Sequence, residues 1–267
     1  MTLIHPTSVV ETGAQIGPDA RIGPFCHVGA DVALGAGAVL SSHVSITGKT
    51  RIGAGLRASP FVAIGGPAQD LKSDGASGAL EIGAGCLLRE GVTINAGTPG
   101  GGGVTQIGDG CALLAASHVA HDCVLGDRVV LSNAVLLGGH VVIGDDAMIG
   151  GGAAVHQYVR IGAQAFIAGL AGVEGDVIPF GLAGGDRARL AGLNVVGLQR
   201  RGFSAERIAG LRAAYHALFA RETAASLGER IEAVAQQCGD DADVASLIAF
   251  LRAPSQRPLC APRTRED

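Results

Sequence analysis

The sequence predicts a mainly β fold, a parallel β-helix of hexapeptide repeats followed by a small α-helical C-terminal domain. Three observations predict it. The 267 residues include 43 Gly but only seven Phe, two Tyr and no Trp, so a sizeable core has to be built from aliphatic side chains. An aliphatic residue recurs every six positions through the first two thirds of the chain, and beyond about residue 186 that period gives way to helical spacing. At 48% hydrophobic residues the chain lies outside the disordered regime, and its glycines lack the every-third spacing of collagen.

The period starts at Ile4 and runs through Val10, Ile16, Ile22, Val28, Leu34, Leu40, Ile46, Ile52, Ala58 and Ile64. It resumes at Ile82, Leu88 and Ile94, then from Ile107 in unbroken steps of six to Val173, with Ala58 as the single departure from Ile, Leu or Val. Half of these leaders are followed by Gly, as at Gly17, Gly126 and Gly144, and the fifth residue of a unit is usually small, as at Ala14, Cys26 and Ala147. An inward aliphatic, an inward small residue and a Gly free to take positive φ describe a short strand and a bend. Three such units make one triangular coil, and stacked coils bury an aliphatic ladder without aromatics.

Two segments break the register. The stretch near 67–81 places Asp70 and Ala76 where leaders belong, so it reads as a loop carrying Asp70 and Lys72. The segment near 97–106 contains TPGGGG (Thr98–Gly103) and stretches the step from Ile94 to Ile107 beyond two units. Inserted loops on a regular scaffold commonly carry binding residues. The β-helix is thus expected over 1–186 and the helical domain over 187–267. Within the latter, Ser204 caps a helix with apolar positions at Ile208, Leu211, Tyr215 and Leu218, and Leu227 to Cys238 and Val244 to Leu251 mark two more. The tail from Pro254 is expected to fray.

Charge and cysteine usage narrow the function classes. A net charge of −4 argues for neither nucleic acid nor a membrane surface as partner. No apolar run approaches the roughly 20 residues that span a bilayer, and the N-terminus carries no signal-like leader, so a cytoplasmic protein is expected. The six cysteines form no C-x-x-C pair; Cys26, Cys86, Cys111 and Cys123 occupy the small inward position and read as core filler rather than metal ligands. From Arg187 to Arg212 there are six arginines against one acid, Glu206, and such guanidinium forks suit phosphate, carboxylate or an acidic partner protein.

Coil arithmetic gathers distant residues. With about 18 residues per coil and about 4.8 Å between coils, the corners after Ile94, Val119, Leu137 and Val155 form one column along one edge. That column holds Asn95, His121, Asp122, Gly139, His140, His156, Gln157 and Tyr158, with His118 one residue before Val119. An imidazole supported by a carboxylate, as His121 by Asp122, is a general base for a hydroxyl, and open glycine N–H groups suit an oxyanion. A metal reading is weaker, because Asp122 and the amide of Gln157 suit polar substrate contacts better than zinc.

HVAHDC (His118–Cys123), GGHVVIG (Gly138–Gly144), GGAAVHQY (Gly151–Tyr158), QDLK (Gln69–Lys72) and GLQRRGFS (Gly197–Ser204) together make the chain resemble the acyl-(acyl-carrier-protein)–UDP-N-acetylglucosamine O-acyltransferases over almost its whole length. The resemblance implies a left-handed helix, a homotrimer with sites between subunits, no cofactor, and transfer of a (3-hydroxy)acyl group from the phosphopantetheine of acyl carrier protein to the 3-hydroxyl of UDP-N-acetylglucosamine, the first step of lipid A synthesis. It implies His121 as general base, Asp122 as its support and Gly139 as oxyanion donor. Asp70, Lys72, His118, His140, His156, Gln157, Asn194, Arg200 and Arg201 would line the substrate sites, and the basic helical region would meet the carrier protein. Gly169 falls at the family's acyl-chain ruler, where a glycine implies an open groove and a longer chain. Asn95 and Ala96 stand where the best-known members have His-Arg, and Val196 where they have Glu. A 3-amino sugar nucleotide as acceptor and a non-catalytic repeat scaffold remain the alternatives.

Overall fold

The computed structural model describes residues 1–70, 78–220, 224–238 and 240–262. Short parallel strands stack into three faces of a prism: an 11-stranded sheet containing the strands that end at Ile4, Ile22 and Leu40, a nine-stranded sheet containing those at Val10, Val28 and Ile46, and an eight-stranded sheet containing those at Ile16, Leu34 and Ile52. Neighbours in each face are one coil apart in sequence, which is the left-handed hexapeptide β-helix expected. From Ile22 onward the leaders are buried and form one continuous aliphatic core; Cys26, Cys86, Cys111 and Cys123 fill it as free thiols. In the first coil the leader Ile4 stays half exposed.

Apart from Gly65, at φ 79°, the glycines after the leaders act differently from the expectation. Positive φ falls two residues later, at corner positions such as Phe25 (58°), Asp122 (59°), His140 (61°) and Tyr158 (66°), most of them not glycine. Gly17, Gly35, Gly53 and their equivalents up to Gly162 instead line the corner after the eight-stranded face, where coils approach too closely for a side chain. A Cβ on Gly35 would stand 2.4 Å from the carbonyl carbon of Gly53. Close approach, rather than handedness of the bend, demands glycine there.

After the last coil the chain does not turn helical at once. The strand Arg189–Leu193 pairs antiparallel with Gly181–Gly184 and extends the 11-stranded face, so the segment expected to open the helical domain begins as sheet. Among the described residues four helices follow: α1 (Val195–Arg200), α2 (Ala205–Leu218), α3 (Leu227–Cys238) and α4 (Ala242–Arg252). Ser204 caps α2 by accepting from Arg207 N–H, and Ile208, Leu211 and Leu218 are buried, as the spacing predicted. The guanidinium of Arg207 pairs with Asp243 at 2.8 Å and lies over Phe203, so one of the six arginines is absorbed by packing. The tail does not fray over its described part: Asp176 pairs with Leu259 and Leu190 with Pro262, stitching 254–262 to the prism. Among the described residues no helix is long and apolar enough to cross a membrane.

Candidate active site

The nine-stranded face delivers the histidine column in the register that the period predicts. Thr93 pairs with His118, Val119 with Leu137 and Leu137 with Val155, although the loop between Ile94 and Ile107 lengthens one of these steps. The corners after those strands therefore stack, and Asp122, His140 and Tyr158 occupy equivalent left-handed positions on successive coils. His121 and His140 meet edge to face with ring centroids 5.1 Å apart, and the Tyr158 ring stacks flat on His140 at 4.4 Å.

At the centre, His121 Nδ1 lies 2.8 Å from Asp122 Oδ2. A buried carboxylate only accepts, so Nδ1 carries the hydrogen and Nε2 is the bare, basic nitrogen. Asp122 is held on every side: its Oδ1 accepts from Thr98 N–H at 2.9 Å, its Oδ2 from the Thr98 hydroxyl at 2.7 Å, and its own N–H donates to Thr105 Oγ1. Burial by itself pushes the Asp122 carboxyl up, but the bonds from Thr98 and His121 outweigh it and leave the group below the ordinary carboxylate range. Its side chain is 1% exposed against 16% for His121. The charge is thus sealed while the imidazole reaches solvent.

The polyglycine loop does the sealing. A Cβ on Gly101 would stand 2.3 Å from Asp122 Oδ2, so only glycine lets this loop close over the carboxylate. Gly139 plays the matching part on the other side. A Cβ there would fall 2.8 Å from His121 Nε2, so the glycine keeps the space beside the basic nitrogen free, and its N–H makes no hydrogen bond among the described residues. Burial holds His118 below the usual imidazole range, aided by the nearby His121, and His118 Nδ1 is bonded to Thr93 Oγ1 at 2.8 Å. His140 is also lowered, chiefly by burial against the opposing pull of Asp122. His121, Asp122 and His140 are also the one group among the described residues whose donor atoms could surround a metal ion, within 4.8 Å of one another. The Asp122 oxygens are already committed to three protein donors, which fits support of a base better than ligation.

The remaining predicted residues lie elsewhere on the prism. Asn194 caps α1, accepting from Gly197 N–H at 3.1 Å and donating to Gln164 O at 3.0 Å, so its polar atoms serve the fold. With Arg200, Arg201 and the exposed Val196 it borders a cleft of about 530 Å³ against Met148, Phe166 and Leu182 of the 11-stranded face. Arg201 reaches the carbonyl of Asp146, a corner residue between the eight- and 11-stranded faces. Gly169 lies on the third edge, beside Leu170, which is 80% exposed and lies over Gly152. His156 and Gln157 are exposed on the histidine edge, and Asp70 is exposed at the foot of the first loop. Lys72 lies outside the described residues. Asn95 is buried, donates Nδ2 to Pro67 O at 2.8 Å and leaves Oδ1 without a partner among the described residues.

Sequence reasoning missed Thr98, Thr105 and Arg257. Tyr158 was in the column without a role, and its step of 18 from His140 was the signal that it stacks there. Thr98 belongs to a loop whose return to Asp122 no period encodes.

Comparison with known proteins gives the family. Residues 176–260 match the family model described as UDP N-acetylglucosamine O-acyltransferase, domain 2, and residues 13–48 match the bacterial transferase hexapeptide model. The acyl-(acyl-carrier-protein)–UDP-N-acetylglucosamine O-acyltransferase of Methylobacterium radiotolerans is 54% identical over 97% of this chain and 95% of its own length. The enzyme of the same name from Rhizobium johnstonii is 46% identical over 97% of this chain and 94% of its own. The solved UDP-N-acetylglucosamine acyltransferase of Francisella novicida superposes with a TM-score of 0.93 at 32% identity, covering 98% of this chain and 95% of that one. The chain therefore belongs to the acyl-(acyl-carrier-protein)–UDP-N-acetylglucosamine O-acyltransferase family.

Proposed function

We propose that this protein transfers a (3-hydroxy)acyl group from acyl carrier protein to the 3-hydroxyl of UDP-N-acetylglucosamine, opening lipid A synthesis, with His121 as general base. The observation that carries the reading is the His121–Asp122 pair, whose Nε2 is left bare beside the clearance at Gly139. In the transfer, Nε2 takes the proton of the sugar hydroxyl as its oxygen attacks the thioester carbon. The Gly139 N–H donates to the oxyanion of the tetrahedral intermediate. Collapse breaks the C–S bond, and the imidazolium, stabilised by Asp122, returns the proton to the departing pantetheine sulfur. His118, His140, His156, Gln157 and Asp70 line the path of the two substrates. The forks of Arg200 and Arg201 take the diphosphate, with Asn194 holding their helix in place.

The histidine edge and the arginine cleft occupy different edges of one prism, which supports a homotrimer in which one copy's base faces a neighbour's arginines. The test is a transfer assay with UDP-N-acetylglucosamine and a panel of 3-hydroxyacyl carrier proteins, read by mass spectrometry, alongside His121→Ala. A product that disappears in the variant supports the reading. No product at any chain length overturns it, and product only with a 3-amino sugar nucleotide reassigns the acceptor.

A further inference from the structure

The C-terminal segment brings to the histidine edge a cation that no repeat spacing announces. After α4 the chain runs back along the last coil: Asp176 N–H donates to Pro258 O at 2.8 Å, Cys260 N–H to Asp176 O at 2.8 Å, and Leu190 N–H to Ala261 O at 2.9 Å. Cys260 is buried, with its thiol against Ala188 O at 3.2 Å. These bonds hold the segment by its backbone and by Cys260. Arg257, one residue before the first of them, reaches to the coil of Val155. Its Nε donates to Gln157 O at 2.8 Å, and its Nη2 lies against His156 Nδ1, the nearer ring nitrogen, with Nε2 farther off at 3.4 Å.

A guanidinium has only donors and keeps its proton in proteins, so the imidazole nitrogen facing it is the bare one. That assigns the ring hydrogen of His156 to Nε2. The same Nδ1 lies 3.3 Å from Gln157 O. Without Arg257, the ring satisfies that carbonyl by moving its hydrogen to Nδ1, and Nε2 becomes an acceptor. We infer that Arg257 is a positioning residue that holds His156 as an Nε2–H donor toward an oxygen atom of one of the two substrates. The inference rests on the reading of the exposed His156 as a substrate contact. The oxygen belongs either to the sugar nucleotide or to the acyl-pantetheine arm, and the chemistry of recognition is the same for both.

Steady-state kinetics on the full chain, with each substrate varied in turn, tests this with Arg257→Met, Arg257→Lys, His156→Ala and the Arg257→Met/His156→Ala pair. Loss of one such hydrogen bond predicts a rise of about tenfold in the KM of one substrate in Arg257→Met, with kcat within about threefold and the melting temperature unchanged. The substrate whose KM moves is the one that supplies the oxygen. Lys, also a donor-only cation, recovers part of the loss. In the His156→Ala background, Arg257→Met adds nothing, because the group it acts through is gone. An equal factor in both backgrounds, or unchanged KM values in Arg257→Met, overturns the inference. If His156→Ala leaves both KM values unchanged while the wild-type protein turns over, the reading of His156 as a substrate contact fails, and the inference fails with it. If the wild-type protein makes no product, the proposed reaction itself fails.

Discussion

Replacing Asp122 by Asn keeps the shape of the side chain and removes the one charge sealed behind His121. The carboxylate accepts three hydrogen bonds, from Thr98 N–H, the Thr98 hydroxyl and His121 Nδ1–H. An amide has a single accepting oxygen, so at least one donor loses its partner. If that oxygen stays with Thr98, the amide NH2 faces His121, and the ring answers by moving its hydrogen to Nε2, which silences the base. Loss of a bond to a buried charge costs about 1.5–3 kcal/mol, or roughly 10- to 150-fold in rate. The change of tautomer adds to this, up to the roughly 10⁴-fold known for the same substitution in a serine-protease triad. The expected fall in kcat is therefore about 10²- to 10⁴-fold, with KM for UDP-N-acetylglucosamine within about threefold. Single-turnover transfer measured beside a melting curve separates chemistry from unfolding. A folded Asp122→Asn protein that keeps kcat within threefold of wild type refutes the role of the carboxylate.

Gly139→Ala places a methyl group 2.7 Å from Cε1 of the His121 ring and crowds the space beside Nε2, so transfer should fall at least about 100-fold while circular dichroism stays native; activity near wild type would mean that the clearance is unused. Gly35→Ala sets a Cβ 2.4 Å from the carbonyl carbon of Gly53, with backbone on both sides, and should cost about 2 kcal/mol or more, read as a lowered denaturation midpoint. His118 and His140 are lowered by burial; the folded state then binds fewer protons than the unfolded chain, so the stability they contribute is complete above pH ~6.5 and is lost as pH falls through their folded values. Melting temperature should drop between pH 7.5 and 5.5, more steeply in wild type than in His140→Asn, while the contribution of Asp122 is lost only as pH falls through the carboxylate range to its lowered folded value. Equal slopes in the two proteins would remove His140 from that account.

The prism and the histidine column were legible because both are periodic. A coil is about 18 residues, and any two residues separated by a coil share an edge; even the long step from Thr93 to His118 keeps its pairing because the polyglycine loop takes up the excess outside the ladder. Contacts that leave the period were not legible. Thr98 meets Asp122 through a loop, Arg257 meets His156 across 101 positions, and Arg189–Leu193 takes its strand from an antiparallel partner rather than from a coil. The glycine positions were read correctly and their cause wrongly: sequence shows that a side chain is absent, and only the neighbouring coil shows that 2.4 Å of clearance is why. The carboxyl-terminal prolines suggested fraying, whereas backbone pairing with Asp176 and Leu190 holds their segment.

The separation of functions over the prism leads to one further test. His121 stands on the corner between the nine- and eight-stranded faces, whereas Arg200 and Arg201 stand beside the corner between the eight- and 11-stranded faces, so a single copy presents the proposed base and the proposed diphosphate site on different edges. In a threefold ring each interface is head to tail and pairs the first edge of one copy with another edge of the next. His121→Ala and Arg200→Ala/Arg201→Ala proteins should each be nearly inactive at low substrate. Unfolded together in equal amounts and refolded, they assemble at random. An interface is competent when its base comes from the arginine variant and its arginines from the base variant, which happens in about a quarter of interfaces. The mixture should therefore recover about a quarter of wild-type activity, and light scattering should show a trimer throughout. A mixture no more active than the sum of its parts, or a monomer in scattering, would place the whole site on one chain and send the diphosphate back to the histidine edge.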